Sequence, residues 1–140
     1  MTASTIEIST ERARLDIAYI HRYLSEKCYW AIGRSRTVVE QSIANSLNFG
    51  VYDGDRQIGF AHVVTDYATF AWLCDVFIDA GYRGQGLGKR LVEAVITHPE
   101  LQGLRNFILA THDAHALYRQ YGGFEPLAAP DRWMARPRKE

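Results

Sequence analysis

The feature that most constrains this chain is a glycine-rich heptapeptide, Arg83–Lys89 (RGQGLGK), which lies between a predicted strand and a predicted helix. The strand is the nearly unbroken apolar run of residues 70–78, and the helix places apolar residues on one face from Leu87 onwards. Glycines at the start of a helix let an anion approach bare backbone, where unpaired N–H groups and the helix dipole favour negative charge. Together with the positive charges of Arg83 and Lys89, this pattern predicts a binding site for a phosphate or pyrophosphate.

The spacing of the heptapeptide excludes two other phosphate-binding patterns. A P-loop requires a serine or threonine directly after its lysine, and here Arg90 follows Lys89. A dinucleotide-binding fingerprint requires a third glycine at the position that Lys89 occupies. The glycines could also form a turn that only joins the strand to the helix, an interpretation that predicts no ligand.

A second pattern follows in the C-terminal part of the chain. A strand is predicted over residues 106–111, and a helix after it begins at Ala114 with Asp113 as its predicted N-cap. Two glycines stop this helix before Phe124. Its apolar face includes Tyr118, and a tyrosine in such a position is usually a core residue with its hydroxyl bonded to the backbone.

Both patterns match landmarks of one family. Counted from Arg83, the heptapeptide reads Arg-x-x-Gly-x-Gly, which resembles the pyrophosphate signature of the Gcn5-related N-acetyltransferases, the GNAT family. The helix of form Ala-x-x-Leu-Tyr before Gly-Phe is similar to the second landmark of that family, in the expected order. The resemblance covers about residues 45–125. It implies a single N-acetyltransferase domain over residues 1–140 with acetyl-CoA as co-substrate.

The remaining periodicity predicts an α/β protein with a mixed (α+β) sheet. The sheet is expected to be antiparallel in its N-terminal half, where Asp53–Arg56 forms a hairpin turn, and parallel later. The resemblance implies the GNAT acyl-CoA N-acyltransferase fold, with splayed parallel strands at the coenzyme site. The other predicted elements are a strand over Ile6–Ser9, a helix to about Leu24, a helix over Thr37–Leu47 and a short β segment over Trp133–Arg136.

The resemblance also implies how acetyl-CoA is held. The backbone of Val76 and Ile78 would pair with the pantetheine arm like an added strand, and the amide of Val76 or Phe77 would polarise the thioester carbonyl. Thr111 stands where many relatives have asparagine, so its contact with pantetheine is open and His112 or Asp113 could replace it. The implied coenzyme-binding residues are Val76, Phe77, Ile78, Arg83, Gly84, Gln85, Gly86, Leu87, Gly88, Lys89, Thr111 and Tyr118.

For catalysis, the resemblance implies that an amine attacks the thioester directly and that Tyr118 protonates the leaving thiolate. Family members usually have one glycine before the phenylalanine, whereas this chain has Gly122-Gly123. The extra glycine follows Tyr118, so we expect it to alter the end of the helix rather than the tyrosine.

Two residues are candidates for the general base. Strand alternation places Asp75 on one face with Leu73 and Phe77, where burial could raise the pKa of its carboxyl, although a purely structural role fits equally. His62 has an intrinsic pKa close to neutrality, although a histidine on an apolar strand face is more often a core residue.

The acceptor is predicted to contact Tyr29, Trp30 and Trp72, with Arg34 and Arg36 as clamps for a carboxylate. The aromatic side chains could instead close the core, and the arginines could be solvated. Because the chain has no pronounced acidic run, a small-molecule amine is favoured over a basic peptide. Alternatives are a protein Nα- or Nε-acetyltransferase, an acetyl-CoA sensor without turnover, and an interaction domain without coenzyme.

Composition limits which binding partners and which cellular compartment are expected. The 16 lysines and arginines balance the 16 aspartates and glutamates, which favours neither nucleic acid nor a membrane surface as a partner. The absence of a long apolar run and of an N-terminal signal pattern, with Cys28 and Cys74 interpreted as reduced thiols, predicts a cytoplasmic protein. The five histidines show no ligand spacing to paired cysteines, so no metal is expected. Many GNAT proteins form homodimers, an assembly that the resemblance allows here.

Overall fold

A mixed sheet organises the computed structural model, which describes residues 5–138. Within these residues the sheet has five strands in chain order, antiparallel except for the last pair, which is parallel. The strands are β1 (Ile6–Ser9), β2 (Leu47–Asp53), β3 (Arg56–Thr65), β4 (Phe70–Ile78) and β5 (Asn106–Leu109). The helices are α1 (Ile17–Lys27), α2 (Arg36–Ala44), α3 (Leu87–Thr97) and α4 (His115–Gly122).

Local sequence explains where several of these elements begin. The Asp16 side chain accepts a hydrogen bond from the Tyr19 amide at the start of α1, and Ser35 does the same for the Val38 amide at the start of α2. Gly54 has φ +61° in the turn between β2 and β3, so the predicted Asp-Gly hairpin is confirmed.

The helices cover both faces of the sheet. Leu91 and Val95 of α3 are fully buried against the face that also carries Leu73. Ile20 of α1 is fully buried in a second cluster, which packs on the opposite face against Phe77. Each amphipathic helix therefore buries its apolar stripe on one face of the sheet.

A β-bulge in β4 overturns the predicted alternation of that strand. Phe77 lies opposite Phe60 and Cys74 lies opposite His62, so two residues of β4 face one residue of β3. Asp75 is one of the two and has φ +54°, in the left-handed region. Because the extra residue reverses which face each later side chain occupies, Asp75 does not share one face with both Leu73 and Phe77 as predicted.

Other predictions about elements are also wrong. The strand predicted over residues 106–111 ends at Leu109. Helix α2 ends at Ala44, and Leu47 already belongs to β2 because the side chains of Ser46 and Asn48 bond the carbonyls at the helix end. Residues 133–136 form no strand: Pro130 opens a 3₁₀ turn before them, and within the described chain no strand pairs with them.

The start of α4 also differs from the prediction. Ala114 is the N-cap residue, and its amide donates to the Thr111 hydroxyl at 3.1 Å. Asp113 makes no capping hydrogen bond, because the Thr111 hydroxyl already satisfies the amide that opens the helix turn.

Candidate functional site

A cleft opens where the two parallel strands separate. Strands β4 and β5 pair from Phe70–Asn106 to Leu73–Leu109, and in the described chain β4 continues to Ile78 without a partner in β5. The cleft has a volume of about 540 Å³. The predicted splay of the parallel strands is therefore present.

The cleft brings together residues from both ends of the chain. Ten of the predicted site residues line it: Tyr29, Trp30, Arg34, His62, Trp72, Asp75, Val76, Thr111, Asp113 and Tyr118. The other lining residues are Val38, Ser42, Leu73, Cys74, Leu109, Ala110 and Ala114. The heptapeptide Arg83–Lys89, Phe77 and Ile78 lie outside this lining.

Tyr118 lies on α4 and is 8% exposed. Its hydroxyl makes no hydrogen bond to any residue among 5–138, which contradicts the usual arrangement of a core tyrosine. Burial raises the pKa of Tyr118 to about 12, and the nearby Tyr29 and Asp113 act in the same direction. The hydroxyl therefore keeps its proton at neutral pH and can donate it.

The two glycines after Tyr118 alter the helix exit, as expected. Gly122 is the last residue of α4, and a Cβ there would lie 2.9 Å from the Phe124 ring. Gly123 has φ +71° and donates its amide to carbonyls of the last turn, including that of Tyr118. The extra residue is thus absorbed by the helix C-cap.

Asp75 anchors a network at the base of the cleft. Its carboxylate accepts hydrogen bonds from the Trp30 indole at 2.9 Å and from the Arg34 guanidinium at 2.8 Å, and it lies 3.1 Å from Nδ1 of His62. Burial raises the pKa of the Asp75 carboxyl, but hydrogen bonds from His62, Arg34 and Trp30 outweigh it and hold the pKa below its ordinary value. The expectation of a raised pKa is therefore wrong, and the carboxylate ties the loop of residues 28–35, the acceptor loop, to β4.

His62 is buried beside this carboxylate and stacks on Phe60 with ring centroids 6.3 Å apart. Its Nε2 atom is buried without a hydrogen-bond partner in the described chain. Its Nδ1 also lies 3.1 Å from Sγ of Cys74, and burial raises the pKa of that thiol to about 12. Cys74 is therefore an uncharged thiol at neutral pH.

His62, Cys74 and Asp75 place potential metal-ligand atoms within 4.8 Å of one another. Sequence spacing does not suggest this cluster, because β3 and β4 bring its members together. The Asp75 carboxylate in it already bonds Arg34 and Trp30, so a metal ion would have to displace a guanidinium.

The glycine loop at the start of α3 has the backbone that an anion site requires. Gly84 and Gly86 have φ +83° and +77°, and no side chain caps the first turn of the helix. Leu87 is buried in the core, so it can offer an anion only its amide. Lys89 lies with Nζ 5.1 Å from the centroid of the Tyr121 ring, beside the same turn. The amides of this first turn therefore face outward without a side-chain partner.

Strand β4, which leads into the loop, has no partner in β5 beyond Leu73 within the described chain. The Ile78 carbonyl accepts from Nε of Arg83 at 3.3 Å and from the Tyr23 hydroxyl at 3.4 Å. Val76 lies in the bulge that faces β3 and has no partner in β5 within the described chain. Of the two predicted pantetheine-pairing residues, Ile78 has a carbonyl that is already bonded, whereas Val76 lines the cleft.

Several contacts around the site have no pattern in the sequence. The Tyr82 hydroxyl donates to Asp53 at 2.7 Å and ties the glycine loop to the β2–β3 hairpin. The Tyr29 hydroxyl accepts from the His112 amide at 3.1 Å, so the acceptor loop reaches the β5–α4 loop. Arg36, predicted as a carboxylate clamp, instead pairs with Glu40 on the surface of α2. Each contact except the last joins residues distant in sequence, which periodicity does not reveal.

Comparison with known proteins identifies the family. The family model described as the acetyltransferase (GNAT) family matches residues 15–124. The chain belongs to the GNAT acetyltransferase family. A GNAT-family protein from Xanthomonas campestris pv. campestris is 48% identical, with a TM-score of 0.91 over 94% of this chain and 92% of that one. The fold predicted from the resemblance is confirmed.

Two further relatives extend the comparison. The protein named histone acetyltransferase TAP1 from Glycine max is 40% identical over 68 residues, 48% of this chain and 29% of that protein. This GNAT chain thus spans less than a third of the soybean protein. A Clostridium acetobutylicum protein described as a predicted acetyltransferase and solved with acetyl-CoA shares the fold, with a TM-score of 0.70 and 10% identity over 94% of this chain and 96% of that one. Among residues 5–138, no helix combines the length and apolarity of a membrane span.

Proposed function

We propose that this GNAT protein transfers the acetyl group of acetyl-CoA to the primary amine of a small molecule. One observation carries the proposal: the cleft between β4 and β5 contains Val76, which has no partner in β5, and the unbonded hydroxyl of Tyr118. Family membership supports the same activity, and the Clostridium acetobutylicum protein with this fold was solved with acetyl-CoA.

The residues of the chain fit this co-substrate at both ends. Bound acetyl-CoA supplies an acetyl group activated as a thioester. The amides of Gly86 and Gly88 would hold its pyrophosphate, and Arg83 and Lys89 would add positive charge. The backbone of Val76 would pair with the pantetheine arm in place of the missing strand.

The oxyanion that develops on the thioester carbonyl needs a preorganised donor. We assign the amide of Val76, since Phe77, the other candidate, already lies opposite Phe60 in the ladder. Thr111 retains its hydroxyl proton as a donor towards the cleft, because its oxygen accepts from Ala114.

The proposed transfer needs one group that donates a proton and one group that accepts a proton. The neutral amine attacks the acyl carbon, the C–N bond forms, and the C–S bond breaks as Tyr118 gives its proton to the sulfur. The two protons lost by the original ammonium restore Tyr118 and leave to solvent. Asp75 is a poor first acceptor because three donors surround its carboxylate.

We assign the proton-accepting role to His62. With Nδ1–H directed to Asp75, Nε2 carries the lone pair, and it has no partner within residues 5–138. Since His62 lines the cleft, a water molecule that reaches Nε2 would relay the proton from the amine. Asp75 then acts on the reaction by orienting this ring.

Replacing Tyr118 by phenylalanine tests the acid. We expect kcat at saturating amine to fall by on the order of 100-fold, the usual contribution of a positioned acid, while acetyl-CoA binding changes less than twofold. The measurement is release of the coenzyme thiol across a panel of amines. Tyr121→Phe, on the same helix, is the matched control and should retain activity. Full activity in Tyr118→Phe would remove the tyrosine from the mechanism.

The raised pKa of Tyr118 predicts a particular pH profile. Because the pKa lies at about 12, the proton-donating form persists as the pH rises and is lost only near that value. Between pH 7 and pH 10, kcat of the native chain should therefore not fall through loss of the Tyr118 proton. Its pH profile in this range should have the same shape as that of Tyr118→Phe. If kcat of the native chain falls with a midpoint below about pH 10 and kcat of Tyr118→Phe does not, the assignment is contradicted.

A protein acceptor is the second candidate, favoured by the name of the soybean relative, histone acetyltransferase TAP1. The two candidates differ in their substrates. Thiol release with lysine-containing peptides and none with small amines would establish the second. An acetyl-CoA sensor would show coenzyme binding and no acceptor-dependent release with either class.

A further inference from the structure

The acceptor side of the cleft presents aromatic rings. Trp30 is 41% exposed, Trp72 is 44% exposed and Tyr29 is 57% exposed, and all three line the cleft. Tyr29 and Trp30 lie edge to face with ring centroids 5.0 Å apart, and Trp30 is held in place through its bond to Asp75. Fixed, partly exposed rings bind flat apolar groups and also attract cations to their faces.

The charges of the lining favour a cation over an anion. Arg34 is bonded to Asp75 at 2.8 Å, so these two charges offset each other. Asp113 also lines the cleft, and within residues 5–138 it makes no hydrogen bond or ion pair. The uncompensated charge is therefore negative and lies close enough to Tyr118 to influence its hydroxyl.

The lining offers little to a substrate carboxylate. Its two basic side chains, Arg34 and His62, are both directed to Asp75. An added carboxylate would also meet the like charge of Asp113. The expectation that Arg34 and Arg36 clamp a carboxylate therefore finds no support in the cleft.

The size of the cleft limits the acceptor as well. Its volume of about 540 Å³ must also hold the end of the coenzyme arm beside Val76 and Tyr118. Small-molecule sites commonly have about 300–1,000 Å³. The acceptor therefore has only part of a cleft of ordinary size, which favours a small molecule.

We propose that the acceptor is a small protonated amine with a flat aromatic body and no carboxylate, a compound of the arylalkylamine class. The aromatic body lies against Trp30 and Trp72, and the ammonium is drawn to Asp113 before it loses its proton. This inference rests on the acetyltransferase function proposed above.

The first test compares matched acceptors by thiol release. The full chain is supplied with acetyl-CoA and, in turn, 2-phenylethylamine, L-phenylalanine, hexylamine and a lysine-containing peptide. We expect kcat/KM for 2-phenylethylamine to exceed that for each of the others at least tenfold. Comparison of 2-phenylethylamine with L-phenylalanine measures the effect of a carboxylate, and comparison with hexylamine measures the effect of the aromatic ring. Equal or better turnover of phenylalanine, hexylamine or the peptide would overturn the inference and leave the acetyltransferase function standing.

The second test locates the subsite. Trp72→Leu should raise KM for 2-phenylethylamine about tenfold and leave KM for acetyl-CoA unchanged, whereas Trp133→Leu, an exposed tryptophan outside the lining, should change neither. Asp113→Asn should raise the same KM about threefold and weaken its dependence on salt, with Asp131→Asn as control. Unchanged KM values in both cleft variants would overturn the inference.

A binding measurement separates this inference from the proposed function. The thermal midpoint is recorded with acetyl-CoA alone, with non-acetylated CoA alone, and with CoA plus 2-phenylethylamine. A midpoint that rises with acetyl-CoA but shows no rise when 2-phenylethylamine is added to CoA contradicts the acceptor class only. No rise with acetyl-CoA, together with no thiol release from any amine, contradicts the acetyltransferase function itself.

Discussion

Replacing Gly86 by glutamate is expected to abolish acetyl-CoA binding in a protein that still folds. Gly86 is the N-cap of α3 and has φ +77°, so its replacement would place a carboxylate at the helix start where the pyrophosphate is proposed to bind. A ligand at about 100 times its Kd stabilises a protein by about 2.7 kcal/mol, which for this size raises Tm by roughly 5–10 °C. The native chain should show this rise, and Gly86→Glu should show none.

The matched control is Gly103→Glu. Gly103 has φ +74°, and a Cβ added there would meet no atom within 4 Å, as is also true of Gly86, but Gly103 follows the opposite end of α3. A residue with a Cβ in this backbone region costs about 1–2 kcal/mol, so both variants should lose comparable stability. Gly103→Glu should keep the coenzyme-dependent rise. An undiminished rise in Gly86→Glu would mean that the glycine loop is only a turn.

Replacing Asp75 by alanine is expected to lower the free energy of unfolding by about 3 kcal/mol and Tm by roughly 10 °C. The substitution leaves the donors of Trp30 and Arg34 without their acceptor and places alanine at φ +54°. The acceptor loop would then lose its tie to β4. Chemical denaturation measures the free energy, and KM for the amine should rise along with the loss of stability.

Asp75→Asn separates the backbone conformation from the charge. Asparagine tolerates the left-handed region and keeps one acceptor oxygen, so its loss of stability should be smaller than that of alanine. Equal stability of Asp75→Asn and the native chain at neutral pH would show that the ion pair with Arg34 contributes nothing.

The same pair of proteins has a defined pH dependence. Because the folded-state pKa of Asp75 is lowered, its stabilisation is complete above the ordinary value of 3.8 and is lost as the pH falls through the lower, folded-state value. The stability difference between the native chain and Asp75→Asn should therefore shrink below about pH 4. A difference that stays constant down to pH 2 would contradict this account.

Much of the fold follows from local patterns. The nearly unbroken apolar run predicts the bounds of β4 correctly as Phe70–Ile78, and two residues are enough to predict the Asp-Gly turn of the hairpin. These features are decided by neighbours in the chain, through side-chain periodicity and turn conformation. Periodicity misplaces the end of α2 because side chains of Ser46 and Asn48, beyond the helix, bond back to it.

The sequence by itself determined the family, the glycine turn at Gly86 and the place of Tyr118 on its helix, since each depends on residues within one or two helical turns. Only the tertiary structure decided the role of Asp75. One extra residue in β4 reverses its face, and its partners Trp30 and Arg34 lie 45 and 41 positions away in the chain. A bulge and a long-range ion pair cannot be predicted from the periodicity of the sequence. Both arise from how separate segments of the chain pack, not from the order of residues within one segment.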